Sequence, residues 1–180
     1  NLGKSRADTI EEYFSFINEV PRENVRVYIS MAFGSPNSLV DYDLIRECVQ
    51  IAKLMGSTVV FADTIGVGNE DDVREFAKMA YQEDVCPALH LHHRGDEARP
   101  LTLVRAGLRF GIREFDSSIG GLGGCPFSEA SGANLSTEML VRHLNSWGVD
   151  CGVEESSLEK ALTMARAMNL HNLHPSRSSA

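Results

Sequence analysis

The sequence predicts an α/β fold built from alternating strand and helix units with parallel strands. Strand-like runs recur with centres about thirty residues apart, the length of one strand-plus-helix unit. Amphipathic helical stretches fill the intervals between them. No linker or low-complexity segment interrupts the series before a short Ser-rich tail at 176–180, so residues 1–175 read as one domain.

The elements follow in chain order. A first helix is expected over Asp8 to Val20, and a first strand over Val25 to Phe33 (VRVYISMAF), rich in β-formers. Asp41 to Met55 then places Leu44, Cys48, Ile51 and Met55 on one helical stripe that Ile45 and Ala52 widen, with Gly56 as its stop. The second strand is Thr58 to Ala62 (TVVFA). Asn69 caps the next helix, whose first turn holds Glu70, Asp71 and Asp72, where the helix dipole favours negative charge. A third strand, Pro87 to His92, leads to a helix over Glu97 to Phe110. A fourth, Ile112 to Asp116, leads to helices over Leu135 to Trp147 and Ser156 to Met168. Four such units fit half of an eight-fold (β/α) barrel, and they also fit an open doubly wound sheet; periodicity admits both. A closed barrel takes about 250 residues, so the 180 here, opening on Asn1 and entering a helix at once, read as a fragment.

Composition narrows the partners. With 43% hydrophobic and 23% charged residues, the chain can bury a core rather than remain disordered. A formal charge of -8 disfavours nucleic acid and anionic membranes, while leaving room for a phosphorylated small molecule held by local donors. The four cysteines, Cys48, Cys86, Cys125 and Cys151, form neither a CxxC pair nor a zinc-like spacing, which fits a reducing compartment. No apolar run reaches the roughly 20 residues of a membrane span, and residues 1–20 lack a signal-peptide layout. The expectation is a cytoplasmic protein, or one of the mitochondrial matrix in a eukaryote.

Chemistry-bearing residues gather at the C-terminal ends of the strands. His90 and His92 end the third strand, and a period of two turns both imidazoles to one face, as two ligands of one metal or as hydrogen-bonded packing residues. His93 should point the other way, as a loop residue. Asp63 leads into Asp-Thr-Ile-Gly-Val-Gly, where its carboxylate could orient a substrate, assist proton transfer or cap its own turn. After Asp116-Ser-Ser come four glycines in five residues and then Cys125. A loop so rich in glycine could close over a substrate and carry a thiol with it. With a pKa of about 8.5, that thiol stays mostly protonated at neutral pH and could donate a proton to a carbanion or enolate. Asn134 and Glu138, one helical turn apart, could offer an amide oxygen to a hard cation and a carboxylate to substrate, or serve as a cap and a solvated surface group. Imidazole and carbonyl donors at a strand-end face suit an open magnesium or manganese site better than a closed zinc site.

The run GGLGGCPFSEASGAN (Gly120 to Asn134) resembles the glycine-loop signature of the 3-hydroxy-3-methylglutaryl-CoA lyase family. His90-x-His92, FADTIGVG, VRVYISMAFGSP and the DSS before the loop match in the same order, over nearly the whole chain. The resemblance implies the second half of a (β/α)8 TIM barrel. It implies His90, His92 and Asn134 as ligands of Mg2+ or Mn2+, with a first-strand aspartate as a further ligand. It implies Cys125 as a catalytic residue on a mobile loop, and Asp63 and Glu138 as catalytic acidic residues at the acyl-CoA end of the site. The activity implied is cleavage of 3-hydroxy-3-methylglutaryl-CoA, or a close branched analogue, to acetyl-CoA and acetoacetate. An acyl-CoA substrate is therefore the expected partner, and a homodimer is compatible with the resemblance. Two departures stand out. The family's first-strand Arg-Asp pair has no counterpart here, so little activity is expected of these residues alone, and His93-Arg94-Gly95-Asp96 replaces the usual acidic start of the loop after HxH. The alternatives are a condensing synthase of the isopropylmalate or homocitrate type, which the GGCPF thiol loop disfavours, and a non-catalytic half-barrel.

Overall fold

The computed structural model describes residues 5–17, 20–35, 37–56, 58–124 and 133–167. Four parallel strands, β1 (Arg26–Ile29), β2 (Thr58–Asp63), β3 (Cys86–Leu91) and β4 (Glu114–Asp116), pair in sequential order. The helices are α1 (Arg6–Ile17), α2 (Tyr42–Met55), α3 (Glu70–Gln82), α4 (Ala98–Arg109), α5 (Thr137–Ser146) and α6 (Glu155–Ala167). A doubly wound sheet reverses its strand order at a switch point; the order here never reverses, which is the barrel pattern.

Parity along the strands sorts the side chains into two layers. Val59 and Phe61 turn to the helices, and Phe61 stacks on Phe76 of α3 with centroids 4.7 Å apart. Leu89 and Phe115 do the same against Gly107 of α4, where a Cβ would lie 3.2 Å and 3.1 Å from them. These residues join Val49, Val73, Val104 and Ile112 in one core. The opposite parity puts Arg26, Tyr28, Val60, Ala62, Cys86, Ala88, His90, Glu114 and Asp116 on the concave face.

That face is strongly curled. Arg26 and Tyr28 on one edge strand hydrogen-bond Asp116 on the other, at 3.0 and 2.9 Å. In a flat sheet those strands would stand roughly 14 Å apart with their side chains parallel rather than converging. Val60, Ala62 and Ala88 on the middle strands are small enough to leave room for both side chains to lie across.

Local chemistry fixes the element ends. Asp41 caps α2 through Leu44 N at 3.0 Å, and Asn69 and Asp72 form a reciprocal capping box on α3. Two strands are shorter than the sequence suggests. β1 stops at Ile29 because Met31 takes a positive φ of 58° while its N–H goes to the Thr64 hydroxyl, bending residues 30–34 into a turn. Ile112 closes the turn that follows α4, donating its N–H to Gly107 O at 2.9 Å, and β4 begins only at Glu114. The sequence also gave no sign of the 3-10 turn over Arg22–Asn24 that follows Pro21. No helix among the described residues is long and apolar enough to cross a membrane.

Candidate metal centre

β3 carries His90 and His92 to the C-terminal rim, and their Nε2 atoms face each other at 3.0 Å. The chain that returns from the glycine loop docks beside them. Leu135 N donates to Leu91 O and His93 N to Ala133 O, both at 3.0 Å, making an antiparallel bridge between His92 and Asn134. A parallel bridge between Ser118 and Ser136 anchors the same segment to the end of β4. Backbone pairing thus brings Asn134 next to the two histidines.

Three polar atoms here are buried without a hydrogen-bond partner, His92 Nδ1, His93 Nε2 and Asn134 Oδ1. Such atoms are costly to leave unsatisfied. Asn134 Nδ2 donates to Leu122 O at 2.7 Å, which fixes the amide so that its oxygen is the free end. Gly123, at φ 93°, makes room for it; a Cβ there would lie 2.7 Å from Asn134 Nδ2.

The donor set fits the divalent cation that the sequence resemblance implies. Two ligands at right angles on a cation about 2.1 Å from each would stand about 3.0 Å apart, which is the His90 to His92 separation. Among the described residues no three His, Cys, Asp or Glu side chains form a metal cluster on their own. The third donor is an amide oxygen, which suits a hard cation with remaining positions open to water or substrate oxygens.

Behind His90 lies a group that sequence reasoning passed over. Asp116 Oδ2 is 3.3 Å from His90 Nδ1 and accepts from Tyr28 Oη at 2.9 Å, while Oδ1 accepts from Arg26 Nη2 at 3.0 Å. Burial alone would raise this carboxyl, but the hydrogen bonds from His90 and Tyr28 and the Arg26 charge outweigh it and hold Asp116 below the ordinary carboxylate value. Its parity with His90 on adjacent strands, His90 paired to Asp116, was the available signal. His92 is held below the usual imidazole range by burial first and by His90 second, with the Thr64 carbonyl and Asn134 offsetting part of the effect. A neutral imidazole is the form that binds metal.

The carboxylates of Asp63 and Glu138 accept hydrogen bonds from loop backbone rather than from the histidine pair. Asp63 has the opposite parity and is 1% exposed; its two oxygens accept from Val67 N and Gly68 N, both at 2.9 Å. Arg99 ties the same loop through Val67 O and Gly68 O. Burial raises the Asp63 carboxyl, against the pull of those N–H groups and of Arg99. Asp63 therefore shapes the loop after β2, and its carboxylate is turned into that loop. Glu138, in the first turn of α5, accepts from Gly120 N at 3.1 Å and so clasps the root of the glycine loop. His93 is buried and accepts from Gly95 N at 3.2 Å, a loop-forming role. Cys125 and the tail at 176–180 lie outside the described residues.

On the same rim a cleft of about 490 Å³ opens between the loops after β1 and β2, lined by Phe33, Leu39, Val40, Ile65 and Arg94 among others. It offers an apolar wall, the Arg94 cation and the Asp72 carboxylate.

No family model matches the chain. It is 30% identical over 164 residues to the (R)-citramalyl-CoA lyase of Chloroflexus aurantiacus, covering 88% of this chain and 51% of that protein. It is 28% identical over 174 residues to the human mitochondrial hydroxymethylglutaryl-CoA lyase, covering 94% of this chain and 54% of that one. The structure superposes on the crystal structure of the Bacillus subtilis HMG-CoA lyase with a TM-score of 0.82 and 27% identity, covering 98% of this chain and 60% of that one. The chain thus spans about half the length of the curated relatives it matches, and its four parallel strands match part of a lyase TIM barrel.

Proposed function

We propose that this chain, which belongs to the 3-hydroxy-3-methylglutaryl-CoA lyase family, supplies the metal-holding side of the active site of a divalent-metal-dependent acyl-CoA lyase. The observation that carries the reading is the pair of Nε2 atoms of His90 and His92, 3.0 Å apart, at the rim where a backbone bridge sets Asn134, with its unpartnered Oδ1, beside His92. These three atoms would hold Mg2+ or Mn2+. A cation held there would supply Lewis-acid polarisation of the oxygens of a 3-hydroxyacyl thioester.

The chain's own groups do the rest. A base removes the tertiary hydroxyl proton, the carbon-carbon bond breaks, and its electron pair passes to the thioester fragment as an enolate. Cys125, carried on the glycine loop, protonates that enolate to complete acetyl-CoA, while the other fragment leaves as the ketone acetoacetate. Glu138 holds the root of that loop through Gly120, and Asp63 holds the neighbouring loop through Val67 and Gly68. Both thus act at the acyl-CoA end of the site by fixing its loops. The rim cleft with Arg94 offers an apolar wall and a positive charge to a long anionic thioester.

The test is turnover by the full-length protein with Mn2+ or Mg2+. Cleavage of 3-hydroxy-3-methylglutaryl-CoA to acetyl-CoA and acetoacetate, abolished by chelation and by His92→Gln, is expected. (R)-citramalyl-CoA serves as the competing substrate, because a lyase named for it is among the relatives. Failure to cleave either thioester, or acyl-CoA condensation in its place, contradicts the reading.

A further inference from the structure

We infer that Asp116 is a positioning residue of this site: it orients the His90 imidazole, and Tyr28 and Arg26 from the far edge of the half-barrel orient Asp116 in turn. The inference rests on the proposed metal role of His90. It gives a role to Asp116, which the sequence match includes in its DSS run without assigning it one.

The geometry is a relay of fixed contacts. Asp116 Oδ2 stands 3.3 Å from His90 Nδ1. A carboxylate has only acceptors to offer, so the ring nitrogen facing it carries the proton. The other nitrogen of His90, Nε2, then presents its lone pair toward His92 Nε2, 3.0 Å away. Metal-binding histidines commonly have their second nitrogen held in this way by a carboxylate. What is particular to this chain is how the carboxylate is held. Tyr28 Oη donates to the same oxygen that faces His90, and Arg26 Nη2 takes the other, so neither oxygen can swing away without breaking a bond. Tyr28 also meets the His90 ring edge-on, with centroids 6.1 Å apart, limiting ring rotation from the side. Because Arg26 and Tyr28 sit on β1 and Asp116 on β4, the curl of the sheet and the aim of His90 are mechanically one feature.

Mn2+ binding to the full-length protein, measured by calorimetry at fixed pH, tests this with four variants. His90→Gln should abolish measurable binding; if it does not, the metal reading of His90 is wrong whatever Asp116 does. Given that loss, Asp116→Ala should weaken Mn2+ by roughly 10- to 100-fold. Asp116→Asn, which retains an acceptor for Nδ1–H, should recover part of the affinity, and Tyr28→Phe should cost a few-fold. Histidine 15N spectra of the metal-free protein supply a readout that general loosening would not move. His90 should be the Nδ1–H tautomer in the wild type and a mixture in Asp116→Ala. Unchanged Mn2+ affinity or an unchanged tautomer in Asp116→Ala, with His90→Gln inactive in binding, overturns the positioning role and leaves the metal site standing.

Discussion

Tyr28 Oη donates to Asp116 Oδ2 at 2.9 Å, although the two residues lie on opposite edge strands of a four-stranded sheet. This bond spans the concave face, so it reports whether the sheet keeps its curl. Tyr28→Phe removes the donor and almost nothing else. A hydrogen bond to a charged acceptor contributes about 1.5–3 kcal/mol when shielded. Tyr28 is 49% exposed, so the expected loss in urea unfolding of the full-length protein is about 1 kcal/mol or less. A variant as stable as the wild type, with an unchanged structure, would mean that the curl does not depend on this contact.

Asp63→Asn should be costly through its loop rather than through substrate contact. Both carboxylate oxygens accept backbone N–H groups, and an amide can satisfy only one while turning a donor toward the other. A loss of about 1–3 kcal/mol is expected, together with faster amide exchange at Val67 or Gly68. The pH dependence has a definite sign. Burial raises the folded-state carboxyl above its ordinary 3.8, so its contribution is fully present below that value and falls as pH rises through the folded-state pKa. The stability advantage of wild type over Asp63→Asn should therefore shrink as pH rises out of the acid range. An advantage that grows instead would reverse the assigned direction.

How much of this was legible beforehand depends on the kind of constraint. Strand and helix placement and the His90 and His92 pair followed from local patterns: β-formers, caps at Asp41 and Asn69, and two-residue parity; strand order did not, because periodicity admits both a barrel and an open sheet. The metal role proposed for Asn134 rests on its amide oxygen and on a sequence resemblance; its position beside His92 depends on a bridge formed by backbone atoms, which no side-chain pattern encodes. Asp63 admits two readings from sequence, a site acid or a cap on its own turn, and its bonds from Val67 N and Gly68 N are those of the turn cap. Asp116 was passed over because its significance depends on Arg26 and Tyr28, some ninety residues earlier and brought close only by curvature.

Tyr42 supplies a spectroscopic check on the packing of α2 against α3. Its hydroxyl donates to Asp72 Oδ1 at 2.5 Å, and that bond, reinforced by burial, pushes the phenol up to about 12. Of the four tyrosines, Tyr42 should be among the last to ionise in an absorbance titration, and Tyr42→Phe should remove that late step. The neutral phenol's contribution to stability is complete below about pH 10 and disappears as pH passes about 12. Loss of an early-titrating tyrosine in Tyr42→Phe would contradict the assignment.

Gly123→Ala probes the seat of Asn134. The new methyl would fall 2.7 Å from Asn134 Nδ2 and displace the amide from Leu122 O. Mn2+ affinity should fall by at least roughly tenfold, by analogy with disturbed metal-ligand support. Gly148→Ala, also at a positive φ but with nothing within 4 Å of the added carbon, is the control for backbone strain alone. Equal, small effects from both substitutions would remove Asn134 from the site.

The central claim is that one cation is held by two imidazoles and an amide oxygen from this half of the barrel. Anomalous diffraction from a crystal of the full-length protein grown with Mn2+ addresses it most directly. The account predicts a peak bounded by Nε2 of His90, Nε2 of His92 and Oδ1 of Asn134. A peak that excludes any of these atoms, or none at saturating Mn2+, contradicts it.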